Sequence, residues 1–119
     1  MIDISVIIVN WNTVDLLRQC LTSIFKCTNT STSFEVIVVD NASGDGSADM
    51  VEQEFHQVVL IKNTQNVGFA KANNQAAHIA HGSFLLLLNS DTVLFSDLLT
   101  NLLTAARNQP KTVGIIGPR

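Results

Sequence analysis

FLLLLN, residues 84–89, can be read as a helix fragment or as a strand, and the choice sets the architecture. Leucine favours helices, but this run is short and sits between Gly82-Ser83 and Ser90-Asp91. A continuous apolar run of that length between turn residues fits a strand covered on both faces. Three β-branched runs before it read the same way: ISVIIV at 4–9, EVIVVD at 35–40 and VVLIK at 58–62. VGIIG at 113–117 reads as a fifth strand.

Between the strands the apolar spacing changes to that of helices. Thr13 is placed to cap a helix from Val14 to about Lys26, with Leu17, Cys20, Leu21, Ile24 and Phe25 as its apolar stripe. Further helices are expected from Ala48 to Phe55, from Phe69 to about Ala80, and from Asp97 to about Asn108 with Ser96 as cap. Leu99, Leu102, Leu103 and Ala106 of the last one face inward. Strand and helix alternating with short links predict an α/β fold, a Rossmann-like doubly wound and mainly parallel sheet with helices on both faces.

The bulk properties agree. At 119 residues, with 46% hydrophobic and 14% charged residues, the chain is sized for one domain with one core. A net charge of -3 gives no general attraction to nucleic acid or anionic lipid. Cys20 and Cys27 form no CxxC and read as reduced thiols of a cytoplasmic protein. Met1-Ile2-Asp3-Ile4-Ser5 enters a strand at once, so no signal peptide is expected, and no apolar run approaches a membrane span. The sequons at Asn29 and Asn41 carry no weight in that setting.

In parallel sheets of this kind ligands bind beyond the carboxyl ends of the strands, where strand order reverses. That rim comprises residues 10–13, 40–47, 63–68 and 89–92, and it holds Asp40, Asp45 and Asp91. The connectors of the opposite rim, TNTSTS, HQ, HGS and QPKT, contain no carboxylate. Several sites are excluded. There is no GxxxxGK[ST], no GxGxxG in the first turn and no GxSxG. DNASGDG fails as a calcium loop, because its third and fifth positions are Ala42 and Gly44 and its twelfth is Val51. What fits is a polyphosphate held through Mg²⁺ or Mn²⁺, with one or two carboxylates and the phosphates completing the shell. Asp91 suits the metal, Asn89 a sugar or ribose hydroxyl, and Asp40 ribose hydroxyls or a base N–H. Each carboxylate also has a plain alternative, as a cap or turn residue.

SVIIVNWN (5–12), VIVVDNASGDGS (36–47), NVGFAKANNQA (66–76) and LLLLNSDT (85–92) together resemble the N-terminal, donor-binding half of family 2 inverting glycosyltransferases, which have the GT-A fold. The resemblance covers essentially the whole chain. It implies that Val9, Asn10 and Asn12 line a nucleotide pocket, with Asp40 on base or ribose and Asn41 and Ser43 alongside. It also implies that Asn66, Gly68 and Asn73 shape the donor wall and that Asp91 holds the metal. Lys71 reads as a solvated lysine, and Trp11 as either a base-stacking or a packing residue.

Two departures matter. The family's Asp-x-Asp is Asn89-Ser90-Asp91 here, a form similar to that of rhamnosyltransferases, which favours a deoxyhexose donor. The catalytic base and acceptor site belong to the family's later half, so the chain reads as a nucleotide-sugar-binding part (1–119), truncated at its C-terminus and inactive alone. No histidine suits the base role: His56, His78 and His81 fall near the opposite rim. The partners implied are a UDP- or dTDP-sugar and, in the full protein, a glycan or lipid-linked acceptor, with no nucleic acid. The place implied is the cytoplasm, free or at the inner face of the membrane. An uncovered edge at the fifth strand would invite a homodimer. The other class of reading is a non-catalytic interaction module on the same scaffold.

Overall fold

The computed structural model describes residues 1–108. Its elements run β1 (Ile4–Asn10), α1 (Val14–Cys27), β2 (Phe34–Asp40), α2 (Ser47–Glu54), β3 (Val59–Lys62), α3 (Phe69–Ile79), β4 (Phe84–Asn89) and α4 (Leu98–Arg107). The strands form one parallel sheet in the order β3-β2-β1-β4. FLLLLN is therefore a strand, paired in register with β1 from Ile4↔Phe84 to Val9↔Asn89. The fifth strand expected at 113–117 lies outside the described residues, and so does the edge from which a homodimer was expected.

Alternation along each strand divides the core. Val6, Ile8, Val36, Val38, Leu86 and Leu88 face one side and pack with Leu17, Cys20, Leu21 and Ile24 of α1, Met50 and Val51 of α2, and Leu99 and Leu103 of α4. Ile7, Ile37 and Val39 face the other side and pack with Ala72 and Ala76 of α3. This is why α3 is rich in small residues: a helix on that face must approach the sheet closely. From β1 to β3 the chain steps one way across the sheet with helices on one face. It then returns past β1 with α3 on the other, as right-handed crossovers require. Strand order reverses between β1 and β4, and this reversal places the switch point.

Two caps differ from the sequence expectation. The Thr13 hydroxyl does not cap α1; the free Val14 N–H is bonded instead by Asp45 Oδ2 at 2.9 Å. At α4 the cap is Asp97 and not Ser96, with Asp97 Oδ1 accepting from Thr100 N at 3.1 Å and Oδ2 from Asn29 N at 3.0 Å. In both places a carboxylate, a stronger acceptor than a hydroxyl, takes the exposed helix N–H.

The opposite rim also differs, because it does hold a carboxylate. Glu35, near the start of β2, accepts from Ser5 Oγ at 2.6 Å and from His81 N at 2.6 Å. Burial pushes its carboxyl up, but these bonds more than offset that and hold it below the ordinary range. His81 Nδ1 lies 3.4 Å from the same carboxylate, so this histidine is a structural partner at the far rim.

Candidate nucleotide-sugar site at the carboxyl rim

The strand register builds the rim. Asn10 and Asp40 close β1 and β2 as a register pair, and Val9 lies beside Asn89 on the other side. Asn10 is fully buried and Asp40 nearly so. Asp40 Oδ1 accepts from Asn10 Nδ2 at 3.1 Å and from Ser43 Oγ at 2.7 Å, while Oδ2 accepts from Ser43 N at 3.0 Å. The Asx-turn alternative for Asp40 is thus real. The same carboxylate also anchors the neighbouring strand through Asn10, which a simple turn residue would not do.

Asn12 has a positive φ of 53° and joins the first two rim loops. Its N–H donates to Ser43 Oγ at 2.9 Å, and its Oδ1 accepts from Gly44 N at 2.8 Å. Asp45 completes this clasp through Val14 N and through both the N–H and hydroxyl of Ser47. Burial raises the Asp45 carboxyl, but these hydrogen bonds outweigh it and keep the group below its ordinary value. The sequence puts Asp45 on the rim without giving it a role. Its offset from a loop glycine on either side gave no sign that it would cap a helix from another crossover.

Asn41 links β2 to the third loop. Its Nδ2 donates to Gly68 O at 3.3 Å, and its Oδ1 accepts from Asn63 Nδ2 at 3.0 Å and Val67 N at 3.4 Å. Asn66 Oδ1 accepts from Gly68 N at 2.9 Å. Gly68, with φ of 87°, opens α3, and a Cβ there would meet no protein atom within 4 Å. The glycine is needed for its backbone, and it leaves open space at a helix N-terminus. Asn73 is not drawn into the Asp40 cluster. It is buried within α3 and its Nδ2 donates to Phe69 O at 3.1 Å. Val9 packs partly into the core on the α3 side.

Across the switch point stand Asn89 and Asp91, both exposed. Among the described residues nothing donates a hydrogen bond to Asp91. Its charge is felt by Cys20, whose thiol is pushed up to about 12 by burial and by Asp91. Cys20 is inert as a consequence, and both cysteines are free. Trp11 is 56% exposed beside the rim, so it is not consumed by packing at the sheet edge. Lys71 is also exposed, as expected.

Among the described residues no three His, Cys, Asp or Glu side chains gather as a metal cage. A lone, uncommitted carboxylate at the switch point still fits Mg²⁺ or Mn²⁺ in the form in which a diphosphate supplies further oxygen ligands. A groove of about 480 Å³ between α1 and residues 93–95 lies apart from these residues.

The comparisons agree with this geometry. The family model for glycosyl transferase family 2 matches residues 5–118. A poly(ribitol-phosphate) beta-glucosyltransferase of Bacillus spizizenii is 36% identical over 100 residues, covering 81% of this chain and 16% of that protein. The crystal structure of S. aureus TarS 1-349 in complex with UDP-GlcNAc superposes with a TM-score of 0.73 at 29% identity, over 87% of this chain and 30% of that one. The mannosyltransferase PcManGT from Pyrobaculum calidifontis, in complex with GDP-Man and Mn2+, gives a TM-score of 0.76 at 26% identity, over 90% of this chain and 32% of that one. The chain thus spans less than a third of each relative's length. No helix among the described residues is long and apolar enough to cross a membrane. The sheet is that of GT-A glycosyltransferases, and the chain belongs to glycosyl transferase family 2.

Proposed function

We propose that this chain is the donor-binding part of an inverting glycosyltransferase that uses a nucleoside-diphosphate sugar with Mg²⁺ or Mn²⁺ in glycan or polysaccharide synthesis. The observation that carries the reading is the buried Asn10–Asp40 pair facing the uncommitted Asp91 across the switch point. The complexes of the relatives support it, one with UDP-GlcNAc and one with GDP-Man and Mn2+.

In this reading Asp40 receives ribose hydroxyls or a base N–H, with Val9, Asn10, Asn12, Asn41 and Ser43 forming the surrounding wall. Asn66, Gly68 and Asn73 shape the donor side, and the N–H groups opening α3 face the anionic ligand. Asn89 bonds a sugar or ribose hydroxyl. Asp91 holds the metal, which neutralises charge on the departing diphosphate. In the transfer itself the acceptor hydroxyl loses its proton and its oxygen bonds to the anomeric carbon. The bond from that carbon to the diphosphate breaks on the opposite face as the new bond forms, and the diphosphate leaves with the electron pair. The base for that proton is assigned to no residue of this chain, so the chain alone binds donor without transferring it.

The same proposal places the protein in the cytoplasm, free or at the inner membrane face, and pairs two copies of it. A strict monomer in sedimentation at high concentration removes the pairing. The donor is tested by thermal shift with UDP, dTDP and GDP, each with Mn²⁺. Stabilisation by UDP or dTDP is expected; stabilisation by none of the three contradicts donor binding.

A further inference from the structure

The Thr13 hydroxyl is oriented by its neighbours. It lies 2.6 Å from Asn10 Oδ1, which can only accept, so Thr13 gives its single proton there. Ser90 Oγ lies 3.1 Å from the same hydroxyl and must therefore be the donor to it. Asn10 in turn donates through Nδ2 to Asp40. The result is a directed line of three hydrogen bonds: Ser90 to Thr13, Thr13 to Asn10, Asn10 to Asp40. It crosses the switch point from the residue before Asp91 to the carboxylate at the end of β2.

Thr13 would normally spend its hydroxyl on the first turn of α1, but Asp45 takes over that cap and leaves Thr13 to bridge the strands. At one end Asp40 is held by three donor contacts. At the other, Asp91 forms no hydrogen bond among the described residues. Its position is set by the Ser90 anchor and by the turn closed from Thr92 N to Asn89 O at 3.1 Å.

We infer that Thr13 is a positioning residue that couples the nucleoside end of the site to its metal end, acting through Ser90. The inference rests on the donor-binding reading above and adds a property to it. Nucleotide held at Asp40 bonds to one end of this preformed line, and the line fixes Asp91 for the cation. Linkage makes the effect reciprocal, so Mn²⁺ tightens nucleotide binding by the same factor as nucleotide tightens Mn²⁺ binding.

The test measures the affinity of the 119-residue chain for UDP, or for dTDP if that binds tighter, with and without Mn²⁺. The readout is the ratio of the two affinities, which a loss of stability alone does not move. Thr13→Val and Ser90→Ala are expected to lower that ratio by about fivefold or more. Thr13→Ser, which keeps the hydroxyl, and Thr104→Val, on the exposed face of α4, are expected to keep it. Should Thr13→Val fail to fold, Ser90→Ala carries the same comparison. An unchanged ratio in a folded Thr13→Val or Ser90→Ala variant overturns the coupling while leaving donor binding intact. Absence of nucleotide binding by the wild-type chain overturns the donor-binding reading, and the coupling with it.

Discussion

Asn10→Asp places a second carboxyl against Asp40 with almost no change of shape. The amide nitrogen it replaces lies 3.1 Å from Asp40 Oδ1, and Asn10 is fully buried. Two unit charges at about 3 Å in a medium of effective dielectric near 20 repel by about 5 kcal/mol. The folded variant avoids that by keeping one proton between the two carboxyls, and the protonated group then donates where the amide did. The unfolded chain loses the same proton near pH 3.9, the ordinary carboxylate value. The folded state therefore binds more protons than the unfolded one at neutral pH, and stability falls as pH rises.

The slope is about 1.4 kcal/mol per pH unit, so about 4 kcal/mol is lost between pH 4 and pH 7. For a domain of this size that corresponds to a Tm deficit of about 15 °C opening over the interval. Thermal unfolding followed by circular dichroism at each pH unit, beside wild type and Asn74→Asp on the exposed face of α3, gives the comparison. A Tm difference that stays flat from pH 4 to pH 7 would refute the buried pairing of Asn10 with Asp40.

Gly82→Ala would bring a Cβ to 2.5 Å from Ser5 N and 2.7 Å from the Ile4 carbonyl carbon, both backbone atoms. A loss of roughly 1–3 kcal/mol is expected from urea midpoints, and an unchanged midpoint contradicts the contact. Gly68→Ala meets no atom within 4 Å, so only its φ of 87° resists. Its expected cost is about 1–2 kcal/mol, together with weaker nucleotide binding. Asp45→Asn removes a carboxylate held below its ordinary value. The stability it contributes is present above about pH 3.9 and lost as pH falls through the lowered carboxyl range of the folded state, so the Tm difference between wild type and variant at pH 7 should shrink on acidification below about pH 3.9. Parallel curves would show that the charge of Asp45 does not bind the helix.

Much of this could be read from the sequence because parallel strands buried on both faces leave a plain signal. ISVIIV, EVIVVD and FLLLLN read as strands at once, and the switch-point rule then places the rim at their carboxyl ends. Asp91, Asn89, Gly68 and Asp40 stand at that rim in the structure. The losses came where one polar group had several possible partners. Thr13 and Ser96 each precede a helix and look like caps, yet Asp45 and Asp97 are the caps. The first comes from another loop, and no local pattern in the sequence encodes that distance. Glu35 carries no such signal because it lies inside a strand instead of a connector, where it accepts hydrogen bonds from Ser5 and His81. The bond from the Asn73 amide to Phe69 O of its own helix is likewise invisible in the sequence.

The central claim is that Asp91 and the Asp40 cluster together hold a nucleoside diphosphate through a metal. Titration calorimetry of UDP and dTDP into this chain, with and without Mn²⁺ and beside Asp91→Ala, tests it most directly. The account predicts Mn²⁺-dependent binding of one nucleotide in the wild-type chain, with the metal dependence abolished in the variant. Binding that is equally strong without Mn²⁺, or unchanged by Asp91→Ala, would contradict it.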